Sequence, residues 1–476
     1  MSETFNLPRI MVSASHGKSG KTVITLGILR ALEKRGWAPQ PFKKGPDFID
    51  AGWHGVAAGR ASRNLDAFFM DPARLRAVMC EASAGAGVAV VEGAMGLYDG
   101  MDASGSSSSA EVAKQTATPV VVVLDATRMT RTAAAITLGL ICFDAEVRIA
   151  GVILNRVRGP RHERVMRESV EACCDVPVIG VVPDDERLRI ADRHLGLVTC
   201  LESEAAEALC EAAAALVEES IDLDALLAIA ASAPPLEAAP RCAAHVAPTA
   251  TQAQASAQAE AARPLIAVVR DAAFSFYYPE NLRALEQAGA RLAFVDSMRD
   301  ASLPEGASGL YVGGGFPEAF AAQIEANASF RASVRAFAAD GGVACAECGG
   351  LMFLGRRLHA DGRAYEMAGV LDFDVVMEQA RQGHGYAVAR ATDAHPWLPA
   401  GTVLTGHEHH HSRVVAGPGA HRFAYENVRG RGVERGRDGI CAGNVVASYL
   451  HVNALASPGW ARGFVGAAAG ARVAGR

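Results

Sequence analysis

Two stretches of this 476-residue chain combine residue types and spacings that do chemistry, one suited to phosphate and one to sulfur. The first is Ser13-Ala14-Ser15-His16-Gly17-Lys18-Ser19-Gly20-Lys21-Thr22, between an apolar Arg9-Ile10-Met11-Val12 and an amphipathic segment at 23–34. A loop of small residues at the mouth of a helix turns backbone N–H groups and the positive end of the helix dipole toward an anion. Gly17, Lys18, Ser19 and Gly20 would cradle phosphates, Lys21 would reach the β- and γ-phosphates, and the Thr22 hydroxyl would join a Mg²⁺ shell. Ser15 stands where the full motif has glycine. A glycine-rich turn with one incidental lysine is therefore the alternative.

The second stretch is Ala346-Glu347-Cys348-Gly349-Gly350, directly after an apolar run at 343–346. A cysteine at a sharp strand-to-helix turn is presented at the sheet edge, where a helix dipole favours its thiolate. Gly313-Gly314-Gly315 follows another strand-like run, and its N–H groups, with Gly349, could form an oxyanion hole. His451, ending Ser448-Tyr449-Leu450-His451, is the candidate base. Cys345 and Cys348 also make C-x-x-C, which elsewhere means redox chemistry or zinc. The run His407-Glu408-His409-His410-His411 is a further metal candidate.

Apolar runs at 9–13, 39–42, 88–91, 120–124, 150–154 and 176–181 alternate with helical stretches. Continuous Val/Ile runs suit strands covered on both faces, so a parallel α/β sheet is expected. In such sheets ligands gather at the carboxyl ends of the strands. Asp47 and Asp50 follow one such end, and Glu92 and Asp99 another. Asp47 and Glu92, with Thr22, are the candidate Mg²⁺ ligands, since Mg²⁺ takes oxygen donors. Asp47, Asp50, Asp99, Arg60 and Arg63 are candidates for the substrate or phosphoryl site. Asp47 could instead be a helix cap, Asp99 a turn residue, and the arginines surface solubility.

Residues 233–262 are Ala, Pro, Gln, Ser and Thr with few large apolar side chains. That composition cannot bury enough surface to order itself, so a flexible linker is expected between domains at 1–232 and 263–476. A second α/β pattern then begins, with strands near 264–269, 292–295, 310–312 and 343–346.

Hydrophobic residues make up 50% of the chain, and the net charge is −6. The charge argues against nucleic acid as a partner. No apolar run reaches the roughly 18–20 residues that span a bilayer, and the start lacks a signal-peptide layout. Ten cysteines without a scaffold spacing suit a reducing cytoplasm.

The residues resemble those of the cobyrinic acid and hydrogenobyrinic acid a,c-diamide synthases. The likeness rests on Phe42-Lys43-Lys44-Gly45-Pro46-Asp47-Phe48-Ile49-Asp50, Val91-Glu92-Gly93-Ala94-Met95-Gly96-Leu97-Tyr98-Asp99-Gly100, Gly313 to Glu318, Glu347-Cys348-Gly349-Gly350 and Gly406-His407-Glu408. It implies a dethiobiotin-synthetase-like P-loop domain followed by a class I glutamine amidotransferase domain with Cys348 as nucleophile and His451 as base. It also implies ATP as co-substrate, Mg²⁺ as cofactor, and glutamine and a tetrapyrrole polycarboxylate as partners, in cobalamin biosynthesis. A second copy of the chain is a further partner to consider. Related enzymes amidate sirohydrochlorin, its nickel form or sirohaem, and these remain alternative rings. A partition-type P-loop ATPase switch and a non-catalytic tetrapyrrole carrier are rivals of other classes; neither accounts for the cysteine elbow.

Overall fold

The computed structural model describes residues 3–185, 192–193, 196–197, 199–202, 206–238, 263–417 and 421–474. Contacts divide the chain into two units, Met1–Ala244 and His245–Arg476.

The first unit is built on a seven-stranded sheet, in the order Arg63–Leu65, Pro39–Lys44, Val88–Glu92, Arg9–Ala14, Val120–Asp125, Ile149–Val157 and Val178–Pro183. Every pairing in it is parallel. All six strands expected in this half are present, and the short edge strand Arg63–Leu65 is an addition. Val120 to Val123 are fully buried, which accounts for their unbroken apolar run. The phosphate-loop strand Arg9–Ala14 lies at the centre of the sheet. The helix that follows it, Lys21–Lys34, packs closely on Ala206–Ser220: a Cβ on Gly27 would sit 2.4 Å from the Ala213 carbonyl oxygen.

The first residues of the stretch expected as a linker, 233–238, are described and belong to the first unit. Leu236–Ala238 is a strand paired antiparallel with Glu3–Phe5. The buried Arg9 guanidinium donates to the carbonyls of Leu7, Thr116, Ala117 and Pro234, which ties this segment to the first unit. Residues 239–262, the rest of that stretch, lie outside the described residues.

The second unit carries a ten-stranded mixed sheet. Its parallel part runs Arg291–Val295, Leu265–Val269, Ala307–Val312, Val343–Glu347 and Val445–Ser448. Antiparallel strands extend it: Arg437–Ala442, Arg422–Arg429, Gly383–Ala391, Val403–His410 and His451–Val452. A four-stranded sheet, Arg363–Glu366, Arg357–Ala360, Phe373–Met377 and Ser412–Ala416, lies beside Phe353 and Leu354 in one apolar core. Side chains of Val343–Glu347 alternate between two cores. Ala344, Ala346 and Cys348 join one, and Val343 and Cys345 join the other. The two thiols of C-x-x-C thus belong to different cores, which removes the redox and zinc readings of that pair.

Candidate active sites

In the first unit the phosphate loop is held open by left-handed backbone at Lys18 (φ 61°) and Gly20 (φ 87°). A Cβ on Gly20 would lie 2.2 Å from Asn155 Nδ2, so glycine is required there for space as well as conformation. Asn155 Nδ2 donates to the Ser19 carbonyl at 2.8 Å, bracing the loop from the carboxyl end of a neighbouring strand. Lys21 Nζ donates to the Met95 carbonyl at 2.7 Å and the His16 carbonyl at 3.3 Å. Met95 adopts φ 52°, which belongs to the turn that presents this carbonyl. Burial lowers the Lys21 ammonium from its usual range, against the opposing pull of Glu92.

Beside the loop sits a buried charge cluster centred on Glu92. Its Oε1 accepts from the Thr22 hydroxyl at 2.8 Å and from Lys43 Nζ at 2.8 Å, and its Oε2 meets His54 Nε2 at 2.6 Å. Lys43 Nζ also pairs with Asp50 Oδ2 at 2.5 Å. Desolvation would raise the Glu92 carboxyl, but Lys43 and His54 hold it well below the usual carboxylate range. Asp50 is pushed up to about 6 by burial and by its neighbour Asp47. Asp47 Oδ1 accepts from the N–H groups of Ile49 and Asp50, so it caps the helix Ile49–Ala58. Asp99 Oδ2 accepts from Gly96 N–H, a turn role, yet its charge also acts on Lys21.

Arg60 is not at this site. It donates to Gln40 Oε1 and to the carbonyls of Ala82 and Ala84, near the amino end of strand Pro39–Lys44. Ligands bind at the opposite end, so Arg60 is a brace for packing and not a substrate contact. Arg63 opens its edge strand opposite Phe42, two residues short of the strand's carboxyl end. A cleft adjoins the loop, lined among others by Gly20, Asn155, Arg156, Pro183 and Asp184.

In the second unit Cys348 has φ 50° and ψ −99° and precedes the short helix Gly349–Leu354. This strained turn is the expected elbow. A Cβ on Gly350 would meet the Val312 carbonyl oxygen at 2.3 Å, so the turn closes only on glycine. A Cβ on Gly349 would lie 3.0 Å from the Gly315 nitrogen, and one on Gly314 would lie 2.3 Å from His451 Cε1. The geometry therefore gathers Gly314, Gly315, Gly349 and His451 around the elbow.

Two expectations for this site change. The Cys348 thiol is 6% exposed, and burial, then Glu318, push it up and not down. Desolvation outweighs the dipole of a six-residue helix. At rest it is a thiol that needs a base, and His451, pushed down to about 3 by burial, is a neutral imidazole able to accept a proton. The histidine run is not arranged for metal. His407 stacks on His451 (4.7 Å, 11°), His409 lies against His384 (4.5 Å), and His410 stacks on Tyr449 (3.5 Å, 3°). Among the described residues no group of three His, Cys, Asp or Glu side chains is placed to hold a metal ion.

A Gly314→Ala variant is expected to lose glutamine hydrolysis by about 10²-fold, because a displaced base of about 1 Å has that effect. Its His451 is pinned between Gly314 and the His407 ring. Steady-state kinetics of glutamate release measure this.

Both units match known protein families. Residues 10–198 match a family model described as the CobQ/CobB/MinD/ParA nucleotide binding domain, and residues 265–459 match the CobB/CobQ-like glutamine amidotransferase domain. The cobyrinate a,c-diamide synthase of Magnetococcus marinus is 40% identical over 96% of this chain and 96% of its own. That of Archaeoglobus fulgidus is 41% identical over 97% of each. The hydrogenobyrinate a,c-diamide synthase of Streptomyces coelicolor is 40% identical over 96% of this chain and 97% of its own.

The chain belongs to the cobyrinate and hydrogenobyrinate a,c-diamide synthase family.

As a member of that family it is a glutamine-dependent amide ligase of cobalamin biosynthesis, with a nucleotide-binding part and an amidotransferase part. No described helix is long and apolar enough to cross a membrane. Three residues beside the candidate phosphate loop carry little signal in sequence. Lys43 is visible only as a lysine at a strand end, His54 as a lone histidine on a helix, and Asn155 as a polar residue closing an apolar run. What marks them is burial beside Glu92 and Ser19.

Proposed function

We propose that this chain converts the a- and c-side-chain carboxylates of cobyrinic or hydrogenobyrinic acid to amides, using glutamine as nitrogen donor and ATP to activate each acid. The observation that carries the proposal is that a phosphate loop with an adjoining carboxylate, and a buried cysteine elbow packed on a glycine loop that touches the His451 imidazole, occur in one chain matched nearly end to end by such synthases.

In the second unit Cys348 Sγ–H gives its proton to His451, and the sulfur attacks the side-chain amide carbon of glutamine. N–H groups of the Gly314–Gly315 loop and of Gly349 stabilise the tetrahedral oxyanion. His451 returns the proton to the departing nitrogen, which leaves as ammonia, and water hydrolyses the thioester to glutamate and free thiol.

In the first unit the N–H groups of residues 17–22 cradle the phosphates of ATP, and the cleft beside Asn155 and Pro183 receives the base. Lys21 leaves the Met95 carbonyl for the β- and γ-phosphates. The substrate carboxylate attacks the γ-phosphorus, ADP departs, and ammonia then displaces phosphate from the acyl phosphate to give the amide. A carboxylate is a poor electrophile until phosphorylated, which is why nucleotide is consumed. The residues fit a Mg²⁺ ion: the Thr22 hydroxyl and an ionised Glu92 oxygen lie 2.8 Å apart at the loop, both oxygen donors. Asp47, with one oxygen committed to capping, could contribute its other. Bound there, Mg²⁺ would neutralise charge on the transferring phosphoryl group. Asp50 and Asp99 lie beside this centre and shape the charge felt by Lys43 and Lys21.

The purified protein, given ATP, glutamine and magnesium, is offered cobyrinic acid, hydrogenobyrinic acid or sirohydrochlorin in parallel, with mass spectrometry of the products. Diamide from either of the first two is expected. Diamide from sirohydrochlorin alone would contradict the proposed ring.

A further inference from the structure

The residue just before the nucleophile sits in a setting that the reaction above does not use. Glu347 is 2% exposed and ends the strand Val343–Glu347. Its Oε1 accepts from Val452 N–H at 3.3 Å, one residue after the candidate base, and its Oε2 faces His451 Nδ1 at 3.9 Å. Tyr311 provides a third contact. Asn281 Nδ2 donates to the Tyr311 hydroxyl oxygen at 3.3 Å, which leaves the hydroxyl proton for Glu347. Two donors, Val452 N–H and the Tyr311 hydroxyl, thus converge on this carboxyl, and the Nδ1 edge of the His451 ring faces it from a third side. The opposite face of the imidazole is covered by His407, whose Nδ1 lies 3.1 Å from the Tyr278 hydroxyl.

We propose that Glu347 is the positioning residue for His451, accepting its Nδ1–H so that Nε2 is the nitrogen that takes the proton of Cys348. This rests on the assignment of Cys348 and His451 as nucleophile and base. A base oriented by a third group is a recurrent requirement of nucleophilic catalysis, because the wrong tautomer presents an N–H where a lone pair is needed. Here the third group is drawn from the nucleophile's own strand, and one carboxyl holds both the ring and the backbone of Val452. Glu347 needs to close by about 1 Å to reach hydrogen-bond distance, a shift of the size expected when an apo site tightens on substrate.

Glu347→Gln tests this with little change of shape. The single amide oxygen would be taken by Val452 N–H and Tyr311, turning the NH₂ group toward Nδ1 and favouring the wrong tautomer. The expected result is a fall in kcat for glutamine hydrolysis on the order of 10²-fold or more, with KM and melting temperature unchanged. Glu347→Asp is expected to recover part of the loss. A Glu347→Gln variant with kcat within twofold of the parent overturns the proposal, as does a loss of kcat accompanied by an equal fall in thermal stability in both variants. Cys348→Ala, measured alongside, separates the two levels. If it keeps glutaminase activity, the nucleophile assignment itself is wrong. If it is inactive while Glu347→Gln is not, only the role of Glu347 falls.

Discussion

Cys348→Ala is expected to abolish glutamine hydrolysis and glutamine-driven amide formation, while free ammonia still supports amide formation. The reason is local. Among the described residues no other thiol is gathered with the Gly313–Gly315 loop: Cys345 packs in a different core with Trp460. Removing a nucleophile that acts as a unit with its base reduces turnover by roughly 10⁵-fold or more. Cys348 itself is buried at a strained φ of 50°, so alanine, with a similar conformational burden and less volume, is tolerated without rebuilding the turn. Glutamate release and ammonia-dependent product formation, assayed on the same preparation, read the two halves separately. Glutaminase activity surviving in this variant would overturn the nucleophile.

Lys21→Ala is expected to lower amide formation by at least about 10³-fold, the scale set by one cation acting on a transferring phosphoryl group. Basal glutamine hydrolysis survives, because the hydrogen bonds of the lysine, to the Met95 and His16 carbonyls, lie within the first unit. Glu92→Gln is expected to act in the same direction and with added loss of stability. Gln removes one of the two carboxylates paired with Lys43 and leaves Asp50 as its charged partner, so the buried cluster loses part of its charge balance. A melting curve distinguishes that loss from the catalytic one. Full diamide synthesis in both variants would contradict the phosphate-loop assignment.

The parallel sheet was legible because its strands are buried on both faces and so read as unbroken Val and Ile runs. The antiparallel extension of the second unit was not. Arg422–Arg429, with arginine at both ends, and Gly383–Ala391, with two glycines, are part-exposed strands whose identity comes from their neighbours. The elbow was legible from Glu347-Cys348-Gly349-Gly350, since two glycines after a strand leave few other uses for a cysteine. Its protonation was not, because desolvation depends on what packs over the thiol from distant segments. Arg60 shows the converse error. A basic residue near a motif in sequence proved to lie at the wrong end of its sheet. Asp47 and Asp99 carry the cap and turn roles that their residue types favour, and only their closeness to Lys43 and Lys21 ties them to the site.

Glutamine labelled with ¹⁵N at its side-chain amide, supplied with ATP and the preferred ring acid in a buffer free of added ammonium, tests most directly whether one unit feeds the other. The expected product is a diamide in which both new nitrogens carry the label, formed with release of ADP and phosphate. A diamide built from unlabelled nitrogen, or labelled ammonia released with no nucleotide-dependent product, would contradict the division of work between the cysteine and the phosphate loop.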